Sequence, residues 1–190
     1  MDDPPVTTLP APDARTRILD AAEAIVQARG VPALTLEAAA RDAGVSKGGL
    51  LYHFASKEAL LAGMLGRLAE AISRDFDLVV AAQPAVRGRV ARALLAWAFE
   101  EMACEHQERA AAVFLAAFHH DRALLDPVRA VFERIRAAMA GDGLAPGVGI
   151  AIMTATDGLF MSRVFGLYSL EPEDLRALRG ALEAMVETAP

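Results

Sequence analysis

The sequence predicts an all-α protein. Ala, Leu and Arg are abundant, aromatic residues make up 6% of the 190, and runs of β-branched residues are few, which is a bias toward good helix formers. Apolar residues recur every three or four positions through segment after segment, the period of a helix and not of a strand. Between those segments stand residues that start and stop helices, with Ser, Thr or Asp before the first four runs and Gly or Pro after several of them.

Residues 1–12 hold four of the ten prolines (Pro4, Pro5, Pro10, Pro12) and no periodicity, and read as a flexible arm. Asp13 is placed to cap a first helix through Ile18, Ala22, Ile25 and Val26, closed by Gly30 and Pro32. A short second helix runs from the Thr35 cap to Ala43, Gly44-Val45-Ser46 makes a turn, and a third runs from Lys47 to about Phe54. Ser56 caps a long fourth helix, about Lys57 to Ala82, striped by Leu60, Leu61, Met64, Leu65, Leu68, Ile72, Phe76 and Val79. At 1.5 Å per residue it spans roughly 35–40 Å before Pro84 stops it.

Helices over about Val86–Glu105 and Glu108–His119 are apolar around much of their circumference, as befits the centre of a bundle. Residues 126–140 are amphipathic through Val128, Val131, Phe132, Ile135 and Met139, and Gly141–Gly149 is a loop. Residues 148–167 form a mostly apolar helix near membrane-spanning length, but Asp157 and Arg163 interrupt it and lipid-exposed charge is costly. The spanning reading is rejected, so this helix needs a cover, for which a partner subunit is a candidate. The last helix opens at Pro172-Glu173-Asp174 and carries Leu175, Leu178, Leu182, Met185 and Val186 on one face.

Composition excludes several classes of function. With 54% apolar and 23% charged residues the chain has material for a packed core and is not a disordered protein. The lone Cys104 rules out an intrachain disulfide framework and a multi-Cys zinc site, and with His106 it is too isolated to argue a nucleophile. The acidic, Pro-rich start is the opposite of a secretory leader, so a cytoplasmic location without membrane association is expected. No phosphate loop, His-Glu-x-x-His stretch or Glu-x-x-His pair is present. No catalytic residue, cofactor or metal is assigned. His119-His120-Asp121 is read as a helix-end surface group, because adjacent helical residues point apart.

A net charge of −6 argues against nucleic-acid binding only when taken as a whole. Between Arg41 and Lys57 the basic residues Arg41, Lys47 and Lys57 face one acid, Asp42, and His53 lies among them. The same segment, Thr35 to Leu61, is two short helices about a three-residue turn containing Gly44, which is helix-turn-helix geometry. Ala39, Ala40 and Ala43 let the helices cross closely, and Val45, Leu50, Leu51 and Phe54 supply a small core. The exposed face of the second helix then displays Lys47, Gly48, Gly49, Tyr52 and His53. Glycines at a helix start are poor helix formers and suit close approach of backbone to phosphate. An ordinary helical hairpin with a glycine turn has the same spacing.

Residues 15–61 resemble the DNA-binding domain of TetR-type transcriptional repressors. The resemblance runs through Ile18-Leu19-Asp20-Ala21-Ala22, Gly30, Leu34-Thr35-Leu36, Ala43-Gly44-Val45-Ser46-Lys47-Gly48, Tyr52-His53-Phe54 and Ser56-Lys57-Glu58. Asp157-Gly158-Leu159 is similar to a recurring triplet of the family. Val26, Ala39, Ala55 and Gly49 depart from the commoner residues, and Gly49 removes a possible contact with DNA. The resemblance implies a three-helix helix-turn-helix domain over residues 13–56. A long helix would join it to an effector-binding and dimerisation domain over 57–190.

It also implies a homodimer on double-stranded operator DNA and a small-molecule effector. Thr35, Ser46, Lys47, Gly48, Gly49, Tyr52, His53 and Lys57 match positions that anchor phosphate or read bases, with Thr35 equally suited to plain capping. Trp97, Met102, Phe114, Phe118, Met153, Asp157, Phe160 and Met161 are candidates for an effector cavity suited to an apolar or aromatic ligand, and the same residues also read as core. Asp157 needs ligand, an arginine such as Arg163, or a role between helices. The alternative function is a helical small-molecule-binding or partner-interaction module without DNA binding.

Overall fold

A computed structural model describes residues 13–99, 121–145 and 147–188. Among them are eight α-helices: α1 (Ala14–Arg29), α2 (Leu36–Asp42), α3 (Lys47–His53), α4 (Lys57–Ala82), α5 (Arg89–Phe99), α6 (Asp126–Ala140), α7 (Val148–Phe165) and α8 (Pro172–Thr188), with 3-10 turns at Val31–Ala33 and Arg122–Leu125. The chain forms two compact units divided between Met64 and Leu65, a point inside α4.

In the first unit the caps lie where the sequence puts them. Asp13 accepts the Thr16 amide at 2.7 Å, Thr35 that of Ala38 at 3.0 Å, Ser46 that of Gly49 at 3.0 Å and Ser56 that of Ala59 at 3.2 Å. Each satisfies an amide that the helix start leaves without a partner. The two hydrogen bonds from Thr16 hold the Asp13 carboxyl below the usual carboxylate range. Gly44 turns the chain between α2 and α3 at φ +65°, a conformation that a Cβ penalises. Ile18, Leu19, Ile25, Leu34, Leu50, Leu60, Leu61 and Met64 are fully buried, with Phe54 sealing them. At ~1.5–3 kcal/mol for each large apolar side chain removed from water, this small core is the main support of the head. Leu51, expected in it, is 40% exposed. It lies one turn beyond Lys47 on the outward face of α3, about 100° around the helix from Leu50.

The second unit departs from expectation at its first helix. The start expected near Val86 falls at Arg89. The amides of Val90 and Ala91 donate to the Asp142 carboxylate at 3.0 and 2.9 Å, and Gly88 donates to the Asp142 carbonyl. The cap therefore comes from the loop after α6, and Val86 is left 59% exposed. Arg89 in turn donates to the carbonyls of Val80 and Ala81 at 2.9 and 3.2 Å, closing the C-terminal end of α4. The continuation of α5 and the helix expected over 108–119 lie outside the described residues.

α6 keeps its expected span and buries Val128, Val131, Ile135 and Met139. Arg134 ties it to α4 through Asp77 at 2.7 Å and the Ser73 hydroxyl at 2.9 Å. α7 buries Ile152, Thr156, Leu159 and Ser162, and the two hydroxyls donate to carbonyls one turn back. Its other side is open, with Ile150, Met161 and Phe165 at 68, 44 and 50% exposure. In α8 only Leu182 and Val186 of the expected stripe are buried, while Leu175, Leu178 and Met185 are half-buried. No helix among the described residues is long and apolar enough to cross a membrane.

Candidate nucleic-acid interface and ligand cavity

α3 is seven residues long and sharply two-sided. Leu50 is fully buried beneath it, whereas Lys47, Gly48, Leu51 and Tyr52 face solvent. Tyr52 is 86% exposed and sets its ring edge-on to His53 at 5.1 Å. An aromatic ring this far from any core contributes little to folding and offers a stacking and hydrogen-bonding group to a partner surface. A Cβ on Gly48 would meet nothing within 4 Å, while one on Gly49 would meet the Ser46 hydroxyl at 3.2 Å. Gly48 is thus the position that leaves backbone open to an approaching surface. Gly49 keeps room for the cap.

Both lysines are engaged. Lys47 Nζ lies 2.7 Å from Glu37 Oε1, with both side chains more than 60% exposed. That hydrogen bond, with the Lys47 charge behind it, holds the Glu37 carboxyl below its usual range. Lys57 Nζ donates to the Val31 carbonyl at 3.2 Å from a half-buried position. An ammonium has three donors, so each lysine retains two for phosphate. Arg41 and Arg29 both pair with Asp42, at 3.0 and 3.1 Å. Glu37 is the residue that the sequence reading passed over, although an acid in the first turn of α2, ten positions before Lys47, was the available signal.

The second unit contains a hollow of about 350 Å³ between α6 and α7, lined by Leu125, Val128, Arg129, Phe132, Asp157, Phe160 and Met161. Three of the expected effector residues, Asp157, Phe160 and Met161, meet there. Phe132, expected only as part of the α6 stripe, joins them. Asp157 is an exposed residue, yet partial desolvation of its carboxyl pushes it above the usual range, and it has no hydrogen bond or ion pair among the described residues. The Arg163 partner considered for it is not used, since six helical residues put the two about 120° apart around α7.

Trp97 lies elsewhere, edge-on to Phe76 at 6.2 Å, and Met153 is half-buried outside the hollow. Met102, Cys104, His106, Phe114, Phe118, His119 and His120 lie outside the described residues. Asp121 caps the turn before α6 by accepting the Ala123 amide at 2.9 Å. No group of metal-ligating side chains occurs among the described residues. A larger hollow of about 700 Å³ between α4 and α6 has a charged rim of Glu70, Arg74 and Asp77 and, among the described residues, no aromatic wall.

Residues 18–64 match the family described as Bacterial regulatory proteins, tetR family, and residues 88–187 match Tetracyclin repressor-like, C-terminal domain. The HTH-type transcriptional regulator TtgW of Pseudomonas putida, itself uncharacterised, is 39% identical over 70 residues. That match spans 37% of this chain and 52% of TtgW, so the chain aligns with about half of that relative's length. Among solved structures, the regulator SCO7518 of Streptomyces coelicolor A3(2) superposes with a TM-score of 0.74 over 93% of this chain and 100% of its own, at 23% identity. The multidrug binding protein EbrR, complexed with malachite green, superposes at 0.68 over 92% of this chain and 99% of its own, at 28% identity. EbrR is also known complexed with ethidium. A head built on two capped short helices about Gly44, with family matches across both halves, makes the chain a member of the TetR family of helix-turn-helix transcriptional regulators, whose members are not enzymes.

Proposed function

We propose that the protein is a ligand-responsive repressor that binds a palindromic operator as a homodimer and is released by a small apolar or aromatic effector. The observation that carries the DNA half is the outward face of α3, where Tyr52 is 86% exposed beside Lys47 and an open Gly48. Lys47, Lys57 and the helix start at Thr35 then meet phosphate. Ser46, Gly48, Gly49, Tyr52 and His53 set the approach to the groove and the base contacts. Such a regulator works on chromosomal DNA in the cytoplasm.

The uncovered side of α7 supports the dimer. Ile150 and Phe165, continued by Leu167 and Tyr168 at 67 and 57% exposure, are exposed apolar side chains of the kind that mark an interaction site. Two copies of α7 and α8 about a twofold axis would cover it, leaving two heads for half-sites ~34–36 Å apart. The aromatic wall of the α6–α7 hollow supports the effector class, and so does EbrR's occupancy by malachite green and ethidium. An effector releases the operator if it prefers a dimer whose heads are wrongly spaced, typically by ~1–3 kcal/mol, and linkage makes operator weaken effector binding by the same factor.

The test is a gel shift and light-scattering pair on the full chain with DNA from the flanking intergenic region. A dimer that shifts a palindrome-bearing fragment, and loses it on adding an aromatic effector, is the expected result. A stable monomer, or a dimer that shifts no fragment, refutes the proposal.

A further inference from the structure

The Glu37–Lys47 pair sets a carboxylate at the start of the helix that enters the DNA groove in the proposed function. We propose that Glu37 reads sequence there, accepting a hydrogen bond from the N4 amino group of one cytosine in each operator half-site. The inference rests on the proposed operator binding and goes beyond it by naming a residue and a base that set operator choice.

Placement is the first ground. In a helix-turn-helix the N-terminal residues of the second helix meet base edges, while the first helix crosses the phosphate backbone. Lys47 is the first residue of α3, the end that leads into the groove. Glu37, in the first turn of α2, reaches across the turn until Oε1 lies 2.7 Å from Lys47 Nζ. Both side chains are more than 60% exposed, so the carboxylate is open to an approaching surface. Asp42, the other acid of α2, is held instead by Arg29 and Arg41.

Charge is the second ground. A lone carboxylate is repelled by phosphate, but the ammonium in contact with Glu37 cancels its charge and lets the pair approach a polyanion. Hydrogen bonds from Lys47 and from Glu37's own amide hold the carboxyl below its usual range. It therefore stays ionised and offers acceptors only. The bond from Lys47 uses one of about four lone-pair sites on a carboxylate, which leaves acceptors for a base.

The chemistry of base edges then selects the partner. In the major groove guanine presents two acceptors, and thymine an acceptor and a methyl group, so neither gives a carboxylate a donor. Adenine has an amino donor, but its N7 acceptor stands beside it and repels the acid. Cytosine presents its N4 amino group alone. At any other base the carboxylate faces acceptors, and the cost of bringing it to DNA is not offset. The pair thus sharpens choice as much by disfavouring wrong sites as by favouring the right one.

The experiment selects bound duplexes from a library of randomised sequence with the full chain and reads them by sequencing. The unaltered chain should enrich a palindrome in which one position of each half-site is cytosine, preferred about tenfold. Glu37→Gln should move that position to adenine, whose N6 and N7 suit an amide, and Glu37→Ala should leave it without preference. The other positions should keep their bases, which also reports that the variants are folded. A second measurement needs no variant. Replacing that cytosine by pyrimidin-2-one, which lacks the 4-amino group, should weaken binding by the unaltered chain about tenfold. The same motif from all three chains, a change spread evenly over every position, or no half-site cytosine that responds to loss of its amino group would overturn the assignment. Those outcomes leave operator binding intact. A library from which the unaltered chain enriches no motif would instead refute the operator proposal, and this inference with it.

Discussion

Glu37 is predicted to restrain DNA binding through Lys47. The two groups are 2.7 Å apart and mostly solvent-exposed, so their attraction is that of a surface pair. Such pairs bias an equilibrium by only about two- to fivefold. When Lys47 meets a phosphate, it must leave Glu37 or bring that carboxylate up against the backbone anion. Either way binding is weakened by a factor of that order. Glu37→Gln should therefore tighten binding to any duplex by about two- to fivefold at low salt, and the gain should shrink as salt screens it. Lys47→Ala should instead weaken binding to all sequences and flatten the slope of log affinity against log salt by about one. In the double variant the Glu37→Gln gain should fall to less than half, because the restraint acts mostly on a lysine that is gone. The assay is fluorescence anisotropy of a labelled duplex of arbitrary sequence from ~50 to 200 mM salt. Unchanged or weaker binding by Glu37→Gln would refute the restraint. An unchanged salt slope in Lys47→Ala would show that α3 does not present Lys47 to DNA.

Three stability predictions follow from packing, capping and charge. A Cβ on Gly63 would sit 2.6 Å from Phe54 Cε1 and 3.2 Å from Leu19 Cδ2. Gly63→Ala should cost ~1–3 kcal/mol in overpacking, partly offset by ~1 kcal/mol of helix propensity, and lower the melting temperature of the head by a few degrees. Asp142→Ala leaves the Val90 and Ala91 amides without their acceptor. It should cost about 1–2 kcal/mol in denaturant unfolding, with Asp142→Asn retaining part of the loss. The third concerns Asp157, exposed but with a carboxyl that partial desolvation raises above the ordinary aspartate value. The native state then holds its proton longer than the unfolded chain, so stability falls as pH rises from the ordinary value through the native one. Asp157→Asn should raise the melting temperature near neutral pH by no more than about 1 °C, since solvent screens an exposed group, and lose that advantage toward acid pH. Equal offsets at both ends would remove the charge explanation.

The head was almost wholly legible because its signals are local. Asp13, Thr35, Ser46 and Ser56 each cap through an amide three residues on, a spacing visible in the sequence, and Gly44 marks the turn between them. Leu51 was misplaced because a seven-residue helix shows under two turns of pattern, too few to decide which of two adjacent leucines faces in. The second unit was legible in helix order but not in its ends. Nothing near Val86 announces that Asp142, more than fifty residues away, sets where α5 begins. The hollow shows the same limit, since Asp157 stands out as a charge in an apolar helix while Phe132 looks like any core residue of α6. Their meeting is a tertiary fact. The Glu37–Lys47 pair joins two helices across a turn, and charge counting along the chain hides it.

The remote cap of α5 bears on how this half of the chain is made. Translation delivers Val90 and Ala91 well before Asp142, and until that loop arrives the first turn of α5 has only water for its amides. The helix is then a poor nucleus, because fixing its first turn is the unfavourable step. The segments through α6 must be released before α5 can lock, so the second unit should fold late and in one step rather than helix by helix from its start. A nascent chain stalled with Asp142 still inside the ribosomal tunnel would carry a finished head, followed by a segment that chaperones and proteases can still read as unfolded.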